Sequence, residues 1–462
     1  MTHSSTTRRR FLKGMAAASV ATPYFWTSTS AKAEDADKAL KVASIGVGGS
    51  RGRYSRGGGI ARQAAGFGQM VAVCDVDTLH NDEFAAWCKK EKNVEINKYQ
   101  DYREMLEKEE IDVVTIGTPD HWHVPIAIAA LKAGCDVYCE KPLTLTIDEG
   151  KQICKVVKET GKVFQVGSQQ RTENEAKFLK AIAFVQSGRL GDDVRAHVAI
   201  GGAPAGGPFE NTEPPAELDW DMWLGPAPKR PYCEERRKIF RWFLEYSGGK
   251  MTDWGAHHID IAQWALGMDK TGPVEISGTA KFPEQIPEYD PVKFFNGEIE
   301  LPNAFNAPME FDIDLKFANG ALLNVNHHYK SEDGSADFGN GILFVGSEGR
   351  IFVNRGKLTG APIEDLSESD QKWLDEEVIK LYGGKKPNGH MRNFFECIES
   401  RELPISDVFT HHRTMTSCHM CNITLLLDRP LKWNPEKEEF IGDDQANALM
   451  TRKQRAPYVT KL

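Results

Sequence analysis

The sequence predicts an α/β protein in two parts: an N-terminal doubly wound parallel sheet, and a C-terminal α/β domain built on a large, mostly antiparallel open sheet. Three observations carry this. From about residue 40 to 170, short β-branched runs alternate with segments of helical period, the rhythm of βαβ units in which each helix returns the chain to a parallel strand. Beyond Gly191, apolar and polar residues alternate at 193–200, 274–280, 311–317, 321–328 and 342–353, with Asn319-Gly320 as a turn, the pattern of an antiparallel sheet with one face covered. The length, 462 residues with 40% hydrophobic and 27% charged, suits two domains that each bury a core. The expected boundaries are 38–170 for the first domain, 171–430 for the second and 431–462 for a C-terminal tail.

Taken in order, residues 41–47 form a strand that runs into Gly46-Val47-Gly48-Gly49-Ser50-Arg51-Gly52. Residues 70–74 end at Asp75, and 111–116 close on Gly117, Thr118, Pro119, Asp120, His121, Trp122 and His123. A helix over 124–133 stops at Gly134, and the strand 136–139 closes on Glu140-Lys141-Pro142. Helix and strand recur at 147–160 and 162–166. Residues 201–231, rich in Gly and Pro with Trp220 and Trp223, read as an ordered surface excursion. Late helices at 391–400 and 410–427 must pack back on one of the two sheets.

Arg8, Arg9, Arg10 and Lys13 precede a mildly apolar run, 14–26, and then Ala31-Lys32-Ala33, a small-x-small cleavage pattern. This order resembles a twin-arginine export signal over 1–33, so the expected destination is the periplasm by way of the export machinery. No later stretch has the ~18 apolar residues of a spanning helix, so no stable membrane anchor is expected. The net charge of −9 argues against nucleic acid as a partner. Nine cysteines without regular spacing do not make a disulfide scaffold. Cys418 and Cys421 fall in a predicted helix with no second pair, and adjacent histidines (257/258, 327/328, 411/412) point to different sides, so no metal is expected.

Glycines at 46 and 48, after a strand and before a helix, allow a tight turn and close approach to a pyrophosphate. The spacing GxGxxxG is one residue longer than the dinucleotide fingerprint. Asp75, at the end of the second strand, suits the adenosine ribose hydroxyls and repels a 2′-phosphate, which favours NAD over NADP; Arg51 and Arg53 pull the other way.

Together, Gly46-Val47-Gly48-Gly49, Cys74-Asp75, the run from Thr118 to His123, Glu140-Lys141-Pro142 and residues 253–267 resemble the glucose-fructose oxidoreductase, inositol dehydrogenase and rhizopine-catabolism (Gfo/Idh/MocA) family. The resemblance implies a Rossmann domain, a C-terminal domain whose sheet builds homo-oligomers, and nicotinamide redox chemistry on sugars or cyclitols. It also places Asp253 and His257 beside the lysine at the sugar site, and extra substrate contacts in the excursion at 204–246.

Ligands of open parallel sheets lie beyond the carboxyl ends of the strands. That position assigns Gly46, Gly48, Gly49, Ser50, Arg51, Asp75, Thr118, Pro119, His123 and Glu140 to the cofactor, and His121 and Trp122 to the substrate. Lys141 is the expected acid or base, extended from its strand end by the following proline. Asp253, His257 and Asp260 recur at helical spacing on one face, so that a carboxylate can orient an imidazole, and Asp253 and His257 join Lys141 as the expected catalytic set, with the substrate proton going to Lys141 or His257. Gln169, Arg171 and Asp260 are expected sugar contacts.

The leading expectation is an NAD-dependent oxidoreductase acting on a secondary alcohol of a sugar, cyclitol or glycoside, with the cofactor held tightly. Two alternatives compete with it. One is an NAD-retaining glycosidase working through a transient keto-sugar, and the other is a non-catalytic exported sugar-binding protein.

Overall fold

The computed structural model describes residues 39–48 and 55–462. The export signal and the assignments made to Gly49, Ser50, Arg51 and Arg53 lie outside the described residues. Six strands, β1 (Lys41–Ile45), β2 (Gln69–Cys74), β3 (Asn97–Tyr99), β4 (Val113–Ile116), β5 (Asp136–Glu140) and β6 (Phe164–Gly167), form one sheet in the order β3-β2-β1-β4-β5-β6. All of its pairs are parallel. The strand order reverses between β1 and β4, so the crevice opens where both chains leave the sheet.

The second sheet draws on β7 (Arg195–Ala199), β8 (Glu275–Lys281), β9 (Glu310–Lys316) and β10 (Leu322–Asn326). A two-strand ribbon, β11 (Tyr329–Lys330) with β12 (Asp337–Phe338), stands apart. The sheet then continues with β13 (Gly341–Gly346), β14 (Gly349–Val353), β15 (Leu358–Thr359), β16 (Leu431–Asn434) and β17 (Glu439–Phe440). Its nine strands run β15-β14-β13-β7-β10-β9-β8-β16-β17, antiparallel except for the β7–β10 pair. In β9, Phe311, Ile313 and Leu315 face the core while Glu310, Asp312, Asp314 and Lys316 are exposed, which is the period-2 pattern read directly.

The chain order of the domains is not their spatial order. Helix His390–Ser400 places Phe394, Phe395 and Ile398 in one core with Val42, Met70, Phe84 and Tyr138 of the parallel sheet. Its amphipathic stripe had no other apolar face to cover. Helix Val408–Leu427, buried along almost its whole length, packs against helix Ile147–Thr160 of the first domain as well as β8 of the second. Cys418 and Cys421 sit inside it, and burial pushes both thiols up. Residues 431–462 are not a separate tail: β16 pairs with β8 and buries Leu431 and Trp433. Further on, Arg455 donates to the Asp221 carboxylate at 2.7 Å and Tyr458 packs edge-on against Trp122. Burial of these two side chains, with the ladder to β8, offsets the entropy of ordering a four-residue strand.

Six histidines are buried in neutral form. Burial lowers His121, His258, His390 and His411 to about 4, His419 to about 3, and His257 well below its ordinary 6.5. The unfolded chain therefore binds more protons than the fold below pH ~6.5, and stability is lost as pH falls through that value, by ~1.4 kcal/mol per pH unit for each net proton. Glu149, raised by burial to about 7, works in the opposite sense but is outnumbered. The urea midpoint should fall steadily between pH 7 and pH 5; a flat profile would contradict a set of buried neutral imidazoles.

Candidate active site

A cavity of about 720 Å³ opens beyond the carboxyl ends of β1, β2, β4 and β5. Its floor is a contact between three glycines. Gly46 turns with φ +72° against Thr118, where a Cβ would lie 2.5 Å from the threonine methyl. A Cβ on Gly57 would come 1.8 Å from the Gly46 carbonyl oxygen, and one on Gly117 2.4 Å from the Gly57 Cα. Helix Arg56–Ala64 is thereby seated directly on the strands with its N-terminus toward the cavity. Among the described residues the glycine that packs closest to the Gly46 carbonyl is Gly57. The signal was present in the sequence as Gly57-Gly58-Gly59.

Asp75 leaves the end of β2 and turns its carboxylate onto this loop. Oδ2 accepts from the Val47 and Gly48 amides at 3.0 and 3.1 Å, and Oδ1 from the Asp77 amide at 3.0 Å, with His80 Nδ1 at 3.3 Å. These features fit a dinucleotide. The glycine contacts leave no room for side chains, a helix N-terminus and Arg56 supply positive charge for a pyrophosphate, and Asp75 supplies acceptors for a ribose diol. Thr118 Oγ1, buried on the cavity wall, has no partner among the described residues.

Glu140 and His123 tie the strand ends together. Glu140 Oε1 accepts from Arg56 Nε at 2.8 Å and from Gln169 Nε2 at 3.0 Å, linking the start of the helix to β5 and β6. The ring nitrogens of His123 face the carbonyl oxygens of Pro142, 2.6 Å, and Thr118, 2.9 Å. Pro119, Trp122, His123, Glu140 and Gln169 all line the cavity.

At the other end of the cavity, Lys141 Nζ donates to Asp253 Oδ1 at 2.6 Å and to the Asp253 carbonyl at 3.0 Å. Burial would raise the Asp253 carboxyl, but the Lys141 ammonium and the Arg241 guanidinium, Nε at 3.4 Å, outweigh it and hold the group well below the usual carboxylate range. Asp253 closes helix Gly249–Asp253, and Trp254 separates it from helix Gly255–Ala265, which carries His257 onto the same wall. His257 Nε2 lies 3.1 Å from Arg355 Nη2, and its Nδ1 is buried without a partner among the described residues. Burial, then Lys141 and Arg355, keep this imidazole neutral.

Three expected substrate residues are placed elsewhere. Arg171 and Asp260 form a two-pronged ion pair, 2.6 and 2.8 Å, within the core, and Arg171 also donates to the Ile405 carbonyl and Thr410. Their pairing consumes the guanidinium fork, so both are corrected from sugar contacts to structural groups. His121 is buried under the Trp223 and Tyr246 rings, donates from Nε2 to the Trp223 carbonyl at 2.8 Å, and is likewise structural. Trp122, by contrast, reaches the cavity while its Nε1 donates to the Met222 carbonyl at 2.9 Å.

Asp120, Arg56, Arg241, Lys250 and Arg355 also line the cavity and were passed over in the sequence. Asp120 belongs to the quoted loop; burial raises its carboxyl, and Ser247 donates a hydrogen bond to it. Lys250 stands three residues before Asp253 and could have been found by proximity. Arg355 comes from the turn after β14, and no local signal marks it. The excursion does more than enlarge the substrate side. Leu218 bridges to Asp77, Thr78 donates to the Glu217 carbonyl at 3.0 Å, and Arg237 reaches Asp77 at 2.6 Å, so residues 217–237 clasp the end of β2.

Comparison with known proteins agrees with this geometry. A family described as "Oxidoreductase family, NAD-binding Rossmann fold" matches residues 40–168, and its "C-terminal alpha/beta domain" matches 207–296 and 368–460. The D-glucoside 3-dehydrogenase of Escherichia coli is 25% identical over 276 residues, 56% of this chain and 66% of that protein. The scyllo-inositol 2-dehydrogenase (NAD(+)) of Bacillus subtilis is 25% identical over 66% of this chain and 73% of its own. A glycosyl hydrolase family 109 protein of Shewanella pealeana is 32% identical over 129 residues, 27% of each chain. Among solved structures, the WlbA dehydrogenase of Bordetella pertussis, in complex with NADH and UDP-GlcNAcA, shares the fold with a TM-score of 0.57 at 16% identity, covering 86% of this chain and 98% of that one. With both domains matched by one family over well more than half of its length, the chain belongs to the Gfo/Idh/MocA oxidoreductases, and its first domain is an NAD-binding Rossmann domain.

Proposed function

We propose that the protein is an NAD-dependent oxidoreductase that acts on a secondary alcohol of a sugar, cyclitol or glycoside and retains its cofactor between turnovers. The observation that carries this reading is the Lys141–Asp253 pair at the inner end of a Rossmann crevice. Bound NAD would supply hydride acceptance at its nicotinamide. The residues of the chain supply the rest. The glycine turn, Arg56 and Asp75 bind the dinucleotide. Lys141 Nζ exchanges a proton with the substrate hydroxyl, and Asp253 Oδ1 accepts from the amine and holds it in place. His257, neutral and fixed by Arg355, serves as a hydrogen-bonding partner for the sugar rather than as a carrier of charge.

Retention is supported by the clasp. Arg237, Leu218 and Trp223 stand on the cavity wall, and the first two also bind the end of β2, so the adenosine end is closed by the second domain. The sequence reading of 1–33 supports export as a folded, loaded protein. The exposed outward residues of β9 leave a sheet face open for a second copy of the chain. A redox-assisted glycosidase remains the second reading, favoured by the Shewanella relative; the retained Lys141 weighs toward net oxidation.

Four measurements test the proposal. Lys141→Ala should cut turnover by ~10² to 10⁴ while NAD stays bound, and Lys141→Arg should fail too, since a guanidinium does not release its proton. Near-normal turnover in both variants would remove the assigned acid–base group. Asp75→Ala should weaken NAD and narrow its advantage over NADP in calorimetry on stripped protein; NADP bound as tightly by the unaltered protein would overturn the assignment. Protein purified without added nucleotide should carry close to one NAD per chain by mass analysis after denaturation. Keto-sugar or cleaved glycoside among the products separates the two readings.

A further inference from the structure

The cavity wall around Lys141 carries cations and carboxylates together, the latter Asp120, Glu140, Glu173 and Asp253. Asp253 stands between Lys141 and Arg241. Lys250 and Arg355 line the same cavity, both partly buried. Lys250 Nζ lies over the Trp242 ring at 5.4 Å, and the Arg355 guanidinium over the Trp254 ring at 4.7 Å. Among the described residues neither is in ion-pair contact with a carboxylate, and the hydrogen bond of Arg355 goes to a neutral imidazole. Burial and the neighbouring cations push both below their ordinary pKa values.

Keeping two cations partly out of water without an anion in contact is costly, and a ligand that supplies the anion recovers that cost. A neutral polyol does not, since its hydroxyls need donors and acceptors in comparable numbers. The cofactor's pyrophosphate has its own groups, the helix N-terminus and Arg56. Resting on the sugar-oxidoreductase reading, we infer that Lys250 and Arg355 form an oxyanion subsite, and that the substrate is an anionic sugar, carrying a carboxylate as in a hexuronide or an ester of sulfate or phosphate. The fork of Arg355 suits two oxygens of such a group and the Lys250 ammonium suits a third. Trp242 and Trp254 are the apolar walls behind them.

The test uses the purified full chain with its retained nucleotide. Calorimetry compares methyl β-glucoside with methyl β-glucuronide, the 6-sulfate and the 6-phosphate of the glucoside. At least one anionic arm should bind about ten- to a hundredfold more tightly than the neutral glycoside, the range for a charge-assisted pair, and the three arms identify the source of the charge. In Lys250→Gln and Arg355→Gln the ratio of anionic to neutral affinity should fall toward one, with Arg355→Lys intermediate; thermal melting verifies that each variant is folded. Neutral glycoside bound as well as every anionic arm overturns the inference. So does loss of retained NAD in the variants with the anionic preference intact, since the cations would then serve the pyrophosphate. An anionic sugar that binds with the expected dependence on Lys250 and Arg355, yet is neither oxidised nor cleaved, supports the subsite and overturns the oxidoreductase reading instead.

Discussion

Lys141 and Asp253 come from different domains, the first from the end of β5 and the second from a helix of the other half, and they meet at 2.6 Å. A short contact between opposite charges on two separately built domains needs both to be rigidly docked, because the cost of desolvating a largely buried pair offsets much of its attraction. The docking is done by apolar surface. Helix Val408–Leu427 is shared between the domains, helix His390–Ser400 completes the core of the parallel sheet, and β16 closes the second sheet. Everything at the inner end of the cavity inherits its position from that shared packing: the amine, its carboxylate, the imidazole one turn further on, and Arg355 against it.

Much of this was legible because strand ends announce themselves. A β-branched run that stops on glycine, aspartate or Glu-Lys-Pro gives both the strand and the side of the sheet on which its last residues lie, so Gly46, Asp75, Thr118 and Lys141 could be placed before any coordinates. Helical spacing likewise put Asp253 and His257 on one face. Spacing gives direction around a helix but not depth along it, and by Asp260 the same face has entered the core, where it pairs with Arg171. The glycine spacing left out a residue for a related reason, since a fingerprint counts residues while the packing counts atoms, and Gly57 lies against the Gly46 carbonyl.

What stayed illegible is what arrives from far along the chain. Arg355 lies 98 residues from the His257 it touches, and nothing near it in sequence differs from an ordinary basic turn. The same is true of Arg237 against Asp77. The tail was misread because a four-residue strand carries too little periodicity to be distinguished from coil, although its two apolar side chains are fully committed to the sheet.

The clasp over the end of β2 also bears on the order of events in a catalytic cycle. With Leu218 and Arg237 fastened to the Rossmann domain and lining the cavity, a dinucleotide could exchange only after the second domain let go of the first. Under the proposed retention of the cofactor, the enzyme works like a relay with one station: each molecule that leaves hydride behind must depart before another arrives to collect it. On that reading, velocity plots for two sugar substrates would be parallel lines.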